Sequence, residues 1–185
     1  MASRAKGARK LKVGSTLRDN MGDVRNDRQI APAILFLCLG NICRSPLAEG
    51  AARAAFADAG LAATIDSAGT GDWHVGRPPD PRAQAEARRE GVDISGLRAR
   101  QLTRADFYNF DLILAADDSN LRDALMLRPA DATATLKLML DMVPGRTGHS
   151  VTDPYYGADD GFAETWSDVS AVATALVADS TGSSG

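Results

Sequence analysis

The sequence predicts an α/β protein built on a parallel sheet, and two observations support that prediction. From Ala31 onward, short apolar runs alternate with stretches of helical pattern, which is typical of βα units around a parallel sheet. The 185 residues are also enough for one domain with a hydrophobic core, and 44% of them are hydrophobic. We therefore expect a single domain over residues 31–179, preceded by a flexible basic extension at 1–30 and followed by a disordered tail at 180–185.

The extension is predicted from its charge. Residues 1–30 contain eight Lys or Arg and three Asp, and their apolar residues show no clear period. Such a segment buries too little apolar surface to become ordered, so a flexible tail is favoured over a docking or targeting segment. No apolar run approaches the roughly 20 residues that span a bilayer, and the first 30 residues contain no apolar stretch typical of a secretory signal. We expect no membrane span and a cytoplasmic location.

Four short apolar segments are the candidate strands. The first, Ala33 to Cys38, is continuously apolar, which suits a strand buried on both faces. Ala63 to Ser67 and Leu112 to Ala116 are the second and third candidates. The fourth, Leu136 to Asp141, is short and rich in Leu and Met, so its pattern leaves strand and helix open.

The helices are predicted from their end signals and apolar faces. Ser45 and Pro46 form an N-cap followed by a first helical residue, and that helix runs to about Ala59. A second helix is expected from Pro79 to Glu90, ended by Gly91. A terminal helix is predicted from one apolar face, which consists of Phe162, Trp166, Val169, Val172 and Leu176.

The first strand leads into a tight loop and then a helix start, a context that favours an anion. Backbone N–H groups of such a loop can converge on phosphate oxygens, and the helix N-terminus adds a partial positive charge. Gly40 and Asn41 are residue types that accept the positive φ of an inward turn. The loop is therefore predicted to bind phosphate, with contacts and support from Leu39, Gly40, Asn41, Ile42, Cys43 and Ser45.

Cys38 is the predicted nucleophile of this loop. The field of the loop and the helix favours its thiolate, and the Ser45 hydroxyl can hydrogen-bond that sulfur. Arg44 offers a planar fork for two phosphate oxygens. This set predicts in-line attack of sulfur on phosphorus to give a cysteinyl-phosphate, which water then hydrolyses.

Asp153 is the predicted general acid, and later the general base that activates water. It lies in the turn-forming stretch Thr152-Asp153-Pro154-Tyr155-Tyr156, where a carboxyl could be held near the leaving oxygen. Asp153-Pro154 alone would indicate an ordinary turn, and only the phosphate loop makes it a catalytic candidate. Tyr155 and Tyr156 are candidates to wall a pocket for an aromatic ring.

Other functions have little support in the sequence. Two cysteines and two histidines fall short of a tetrahedral zinc site, so we predict no metal. Gly69-Thr70-Gly71 lacks the third glycine of a dinucleotide fingerprint, and no Gly-Lys-Ser/Thr is present for a nucleotide-phosphate loop. Basic residues are not interleaved with aromatic ones after the extension, so nucleic-acid binding is not predicted.

These residues resemble the low-molecular-weight protein tyrosine phosphatase family, whose signature is C-x5-R-S near the N-terminus with D-P far downstream. The resemblance covers about Ile34 to Leu176 and includes Asp66-Ser67-Ala68-Gly69, Asp72 to Gly76, Asp80 to Ala83, Arg98 to Gln101 and Asp117 to Arg122. It implies a three-layer α/β/α fold with a four-stranded parallel sheet, and a phosphatase without a cofactor. The expected partner is a phosphotyrosine-containing protein, a tyrosine kinase being one candidate, and a monomer is favoured.

The resemblance also assigns further residues. Asn41 and Ser67 match positions of the hydrogen-bond network that shapes the phosphate loop. Asp117 matches a carboxylate that holds the catalytic arginine. Trp73, together with Tyr155 and Tyr156, matches the pocket walls, and Trp73 resembles the branch that accepts phosphotyrosyl substrates.

Two positions refine the resemblance. Leu97 stands where many members have a histidine, which implies a less rigid loop. Ile42 stands where a threonine occurs in relatives that resemble protein-arginine phosphatases, so it favours phosphotyrosine as substrate.

Two alternative functions and one regulatory hypothesis stay open. A thiol-based arsenate reductase would use the same loop but needs resolving cysteines beyond it, and both Cys38 and Cys43 lie within the loop. A catalytically inactive phosphate- or phosphotyrosine-binding module would keep the loop without turnover. Cys43 is also a candidate partner for a reversible disulfide that shields Cys38 from overoxidation.

Overall fold

Four strands and five α-helices make up the part of the chain that the structure, a computed structural model, describes, residues 31–155 and 160–182. The predicted extension, Tyr156 and residues 183–185 of the predicted tail lie outside the described residues. The elements in chain order are β1 (Ala33–Cys38), α1 (Arg44–Asp58), β2 (Thr64–Gly69), α2 (Pro81–Arg89), α3 (Asp106–Asn109), β3 (Leu112–Ala115), α4 (Asp118–Leu127), β4 (Thr135–Leu138), a 3-10 helix (Met139–Met142) and α5 (Asp160–Ser180).

The sheet is parallel throughout, with the strand order β2-β1-β3-β4. The chain therefore leaves β1 on one side to form β2 and returns to the other side to form β3. In open parallel sheets, ligands bind at the carboxyl ends of the strands where the order reverses in this way. Cys38 is the last residue of β1 and so lies at that position.

Two apolar cores, one on each face of the sheet, hold the helices. Ile34, Phe36 and Cys38 of β1 belong to the core that α1, α2 and α5 complete. The alternate residues Leu35 and Leu37 belong to the second core, which includes side chains of α3 and α4. This alternation is what a strand buried on both faces requires. The predicted three-layer α/β/α architecture with a four-stranded parallel sheet is confirmed.

Helix α1 begins two residues earlier than predicted. Its N-cap is Cys43, whose side chain makes no capping hydrogen bond, and its first residue is Arg44. The prediction of Ser45 as the N-cap is wrong because the Ser45 hydroxyl is engaged with the phosphate loop, where it lies near Cys38 and Asn41.

Other elements differ from their predicted bounds in ways that the local chemistry explains. Helix α2 begins at Pro81 because the carboxylate of Asp80 caps it, accepting from the Arg82 N–H at 2.8 Å. The segment Leu136 to Asp141, whose pattern left strand and helix open, contains both: β4 ends at Leu138 and the 3-10 helix follows directly. Helices α3 and α4 were not predicted.

The apolar face predicted for the terminal helix is buried in α5, except that Trp166 is half-buried. This helix runs to Ser180, one residue beyond the predicted end of the domain. No helix within 31–155 and 160–182 combines the length and the apolar character that a membrane crossing needs.

Candidate active site

The sulfur of Cys38 lies at the base of the site, in an almost fully buried position. The residue is 3% exposed, and its Sγ lies 3.0 Å from the hydroxyl oxygen of Ser45. Its backbone is fixed by the parallel pairing of β1 and by its carbonyl, which accepts from the Thr70 N–H at 2.9 Å. The sulfur is therefore held by the central strand of the sheet rather than by a mobile segment.

The phosphate loop, Leu39 to Cys43, is shaped by the side chain of Asn41. Asn41 has a φ of +54°, in the left-handed region, and is 2% exposed. Its amide donates to the hydroxyls of Ser45 at 2.9 Å and Ser67 at 2.8 Å, and its carbonyl accepts from the Arg100 N–H at 2.9 Å. Left-handed backbone in a non-glycine residue costs energy, and these three hydrogen bonds hold it in place.

Gly40 is required for a different reason from the one predicted. Its φ does not lie in the positive range. A Cβ at this position would instead stand 2.8 Å from Cδ2 of His74, closer than side chains tolerate. The glycine therefore lets the His74 imidazole pack directly on the phosphate loop.

The hydrogen-bond network continues inward from the loop to a buried carboxylate. The Ser67 hydroxyl donates to Oε2 of Glu49 at 2.6 Å, and Glu49 is only 2% exposed. Nη2 of Arg53 lies 2.6 Å from Oε1 and forms an ion pair with it, but the geometry of this contact is not that of a hydrogen bond. Burial raises the pKa of Glu49, while Ser67 and Arg53 act in the opposite direction.

Arg44 joins the phosphate loop to two distant carboxylates. Its Nη1 donates to Oδ2 of Asp117 at 2.5 Å and to the Val151 carbonyl at 3.2 Å, and its Nη2 donates to Oδ2 of Asp153 at 2.9 Å. Burial opposes the charge of Arg44, but Cys38 and the two carboxylates raise its pKa above the ordinary value. The guanidinium is therefore a fixed cation in the site.

Asp117 combines this contact with a structural one. Its other oxygen, Oδ1, accepts from the Asn120 N–H at 2.8 Å and so caps α4. The carboxylate is thus oriented by the end of β3 and the start of α4 before it meets Arg44. Its predicted place beside the arginine agrees with this geometry.

Asp153 lies in the acid loop, Thr152 to Tyr155, and is far more accessible than Cys38 or Arg44. Its side chain is 39% exposed. One oxygen is paired with Arg44, and the other accepts from the Tyr155 N–H at 3.1 Å. A carboxyl with this exposure can exchange protons with water and can reach a group that enters the site.

A cavity of about 270 Å³ opens over these groups. Trp73 and Tyr155, two of the residues predicted to wall the pocket, line this cavity and are 59% and 39% exposed. The third predicted wall residue, Tyr156, lies outside the described residues. Among the described residues, the lining consists of Cys38, Leu39, Gly40, Ile42, Cys43, Arg44, Trp73, His74, Asp153 and Tyr155.

The second cysteine has surroundings that disfavour its thiolate. Cys43 is 4% exposed, and neither Cys43 nor Cys38 forms a disulfide. Burial raises the pKa of the Cys43 thiol, and the charges of Asp80, Cys38 and Asp153 act in the same direction. Cys43 is therefore suited to remain a neutral thiol at neutral pH.

The sequence analysis missed two parts of this site. His74 lines the cavity, and the only signal was its position directly after Trp73. Glu49 ends the buried network, and it lies four residues after Ser45, on the same face of α1. Helical spacing could have drawn attention to it.

The match to a known family covers nearly the whole described chain. The family described as low molecular weight phosphotyrosine protein phosphatase matches residues 33–181. The chain belongs to this family. The predicted family and the enzyme class that it implies are thereby confirmed.

Individual relatives agree with that assignment. The low molecular weight phosphotyrosine protein phosphatase of Schizosaccharomyces pombe is 46% identical over 136 residues, which is 72% of this chain and 86% of that protein. The crystal structure of YfkJ from Bacillus subtilis is 37% identical with a TM-score of 0.76, covering 84% of this chain and 98% of that one. DARP, described as a drosophila arginine phosphatase, is 27% identical with a TM-score of 0.74, covering 79% of this chain and 96% of that one.

Proposed function

We propose that this protein hydrolyses phosphotyrosyl residues of a phosphoprotein, with Cys38 as nucleophile, Arg44 as phosphate ligand and Asp153 as general acid and base. The observation that carries the proposal is that these three side chains, 115 positions apart at most, line one cavity. Family membership supports the same reaction class.

The first step is attack of the Cys38 sulfur on phosphorus. The phosphate dianion is bound by the N–H groups of the phosphate loop and by the guanidinium of Arg44. Phosphate competes with Asp153 for Nη2 of Arg44, since that atom now donates to Oδ2 of Asp153. Phosphate binding thus frees the carboxylate, which takes up a proton from water and then gives that proton to the leaving phenolic oxygen as the S–P bond forms and the P–O bond breaks.

The second step regenerates the enzyme. The Asp153 carboxylate takes a proton from a water molecule, the water oxygen attacks phosphorus, and the S–P bond breaks to release inorganic phosphate and the thiolate. The Ser45 hydroxyl, 3.0 Å from Sγ, stabilises the sulfur as it leaves. Since Cys43 is buried in surroundings that favour its neutral form, it takes no part in the transfer.

The walls of the cavity favour an aromatic substrate. Trp73 and Tyr155 are exposed aromatic residues of the lining, and their rings can contact a phosphorylated ring. Ile42 adds an apolar contact in the lining. Phosphoarginine is the competing substrate, and the likeness to DARP makes it the comparison to include in the test.

The test measures hydrolysis of a phosphotyrosine peptide and of the same peptide carrying phosphoarginine, in the presence of a metal chelator. Wild type is compared with Cys38→Ser, and acid-quenched samples are examined for phosphate covalently bound to the protein. In wild type we expect turnover of phosphotyrosine and a trapped phosphoprotein. In Cys38→Ser the rate of turnover should fall by about 10⁴-fold or more, and no phosphoprotein should be trapped.

Three outcomes would contradict the proposal. Turnover by Cys38→Ser would exclude the assigned nucleophile. Hydrolysis of phosphoarginine in preference to phosphotyrosine would exclude the substrate class. Phosphate binding by wild type without turnover would point to a binding module.

A further inference from the structure

Arg82 does not line the cavity, yet it connects the two loops that form it. It is the second residue of α2, and its fork contacts the Asp80 carboxylate, with Nε at 3.1 Å from Oδ1 and Nη2 at 3.0 Å from Oδ2. The N–H of Asp80 in turn donates to the carbonyl of Ile42 at 2.8 Å. One end of this connection is therefore fixed to the phosphate loop.

The other end of the connection is the acid loop. Nη2 of Arg82 also donates to the Tyr155 carbonyl at 3.3 Å, and its guanidinium carbon lies 5.6 Å from the centre of the Tyr155 ring. The same guanidinium carbon lies 4.8 Å from the ring centre of Phe162, which is buried in the core. A planar guanidinium can stack on rings and hydrogen-bond at its edge at once, which an ammonium group cannot do.

Tyr155 is also the residue that holds the proposed acid. Its N–H donates to Oδ1 of Asp153 at 3.1 Å, while its carbonyl accepts from Arg82. When phosphate occupies Arg44, this N–H is the one remaining hydrogen-bond partner of the Asp153 side chain among residues 31–155 and 160–182. The position of Asp153 during the reaction then depends on how firmly Tyr155 is held.

We propose that Arg82 is a positioning residue that fastens the acid loop to the phosphate loop and so places the Asp153 carboxyl at the leaving oxygen. This inference rests on the proposed function. Arg82 itself touches neither phosphate nor the reacting atoms. Its loss should leave phosphate binding and sulfur attack in place but impair proton delivery, so the effect should depend on how much the leaving group needs a proton.

The experiment compares kcat/KM for phenyl phosphate, a poor leaving group, with that for 4-nitrophenyl phosphate, a good one. The variants are Arg82→Met, Arg82→Lys, Asp153→Ala and the double variant Arg82→Met/Asp153→Ala. The matched control is Arg89→Met, which removes an arginine from the same helix that is 61% exposed and paired with Glu86 and Glu90. A thermal unfolding curve accompanies each variant.

We expect Arg82→Met to lower kcat/KM for phenyl phosphate by about 10-fold to 100-fold, because misplacing a reacting group by about 1 Å has effects of that size. The loss for 4-nitrophenyl phosphate should be smaller by about 10-fold. In the Asp153→Ala background the Arg82 change should cost less than about twofold, since the group that it positions is gone. Arg82→Lys keeps the charge but not the fork, and we expect it to lose activity with the same leaving-group dependence. Arg89→Met should match wild type.

Four results would overturn the inference. The first is an equal loss of kcat/KM by Arg82→Met with both leaving groups, and the second is additive losses in the double variant. The third is wild-type activity of Arg82→Lys. The fourth is wild-type activity of Arg82→Met when Asp153→Ala is slow. The last leaves the proposed function intact. If Asp153→Ala itself keeps the wild-type rate on phenyl phosphate, the role of Asp153 in the proposed function fails, and the positioning role fails with it.

Discussion

The phosphate loop and the acid loop meet in one cavity, but they are held in opposite ways. In the phosphate loop and the helix start after it, Asn41, Arg44 and Ser45 are all at most 3% exposed, and the two serine hydroxyls that accept from Asn41 belong to buried residues. In the acid loop, the Asp153 side chain and Tyr155 are both 39% exposed. The first loop lies directly between a strand and a helix and is held by buried hydrogen bonds of Asn41, whereas the second is held at more exposed positions by Arg44 and Arg82.

This difference matches the demands of the two chemical tasks. Stabilising a phosphoryl group in the transition state of its transfer needs hydrogen-bond donors that are already oriented, since reorganisation during the reaction costs energy. A general acid must instead exchange protons with water between two steps, so complete burial would hinder it. Rigidity therefore belongs to the phosphate loop, and accessibility belongs to the acid loop. Arg44 is the residue in which the two loops meet.

The largest effect on activity should come from replacing Arg44, which contacts both loops. We expect Arg44→Lys to lower kcat/KM on a phosphotyrosine peptide by about 10³-fold, because a Lys cannot keep Asp117, the Val151 carbonyl and the phosphate at once. Steady-state kinetics measures this. The matched control is Arg146→Lys, which alters an ion pair with the largely buried Asp168 away from the cavity. Equal losses in both variants would indicate a general effect on folding.

The next effect should separate the acid loop from the phosphate loop. We expect Asp153→Asn to lower kcat/KM on phenyl phosphate by about 10²-fold, because proton delivery to the leaving oxygen is lost. Binding of inorganic phosphate, measured by calorimetry, should not weaken, since a carboxylate that competes for Arg44 is removed. Asp93→Asn is the matched control, because Asp93 makes the same kind of turn contact, to the Ser95 N–H. Weaker phosphate binding by Asp153→Asn would contradict the competition between phosphate and Asp153.

The same contrast explains which parts of the molecule the sequence could predict. β1, the phosphate loop and α1 were predicted nearly to the residue because strand, loop and helix are encoded by neighbouring residues. The chemistry of Cys38 and Arg44 was predictable for the same reason. Asp153 became a candidate only through its pairing with the loop, since Asp-Pro by itself signals a turn.

What the sequence could not supply is the set of contacts between distant side chains. Nothing in the neighbourhood of Arg82 indicates that it would stack on Tyr155, 73 positions away. Gly40 was predicted for its backbone freedom, but the His74 imidazole that makes it necessary comes from a different loop. Helix α4 lacks a strong apolar period, and its cap, Asp117, was interpreted only as a ligand of Arg44.

A third prediction tests how firmly the phosphate loop is held. Asn41→Gly keeps the backbone free to adopt positive φ but removes the three hydrogen bonds of the side chain. We expect its free energy of unfolding to fall by about 1–3 kcal/mol, the usual cost of leaving buried polar groups unsatisfied. Asn41→Ala should lose roughly 1 kcal/mol more, because it also pays for left-handed backbone. Urea unfolding measures both, and greater stability of the Ala variant would contradict the strain at this position.

The smallest effect should come from Glu49, at the buried end of the network that supports the phosphate loop. Burial raises the pKa of Glu49 above its ordinary value of 4.5, so between these two pKa values the folded state binds more protons than the unfolded state. The free energy of unfolding must then fall as pH rises through that interval. Glu49→Gln cannot ionise, and its amide carbonyl can still accept from Ser67.

The stability of Glu49→Gln relative to wild type should therefore increase as pH rises from about 4 and level off once Glu49 is ionised in the folded protein. Urea unfolding of both proteins from about pH 4 to about pH 8 measures this difference. The low pKa of Asp80 changes stability in the opposite sense, but it is present in both proteins and cancels. Glu164→Gln, at an exposed position of α5, is the control. A difference that stays constant or shrinks with rising pH would mean that Glu49 is no harder to ionise in the folded protein than in the unfolded chain, and that the buried network ends in an ordinary ion pair with Arg53.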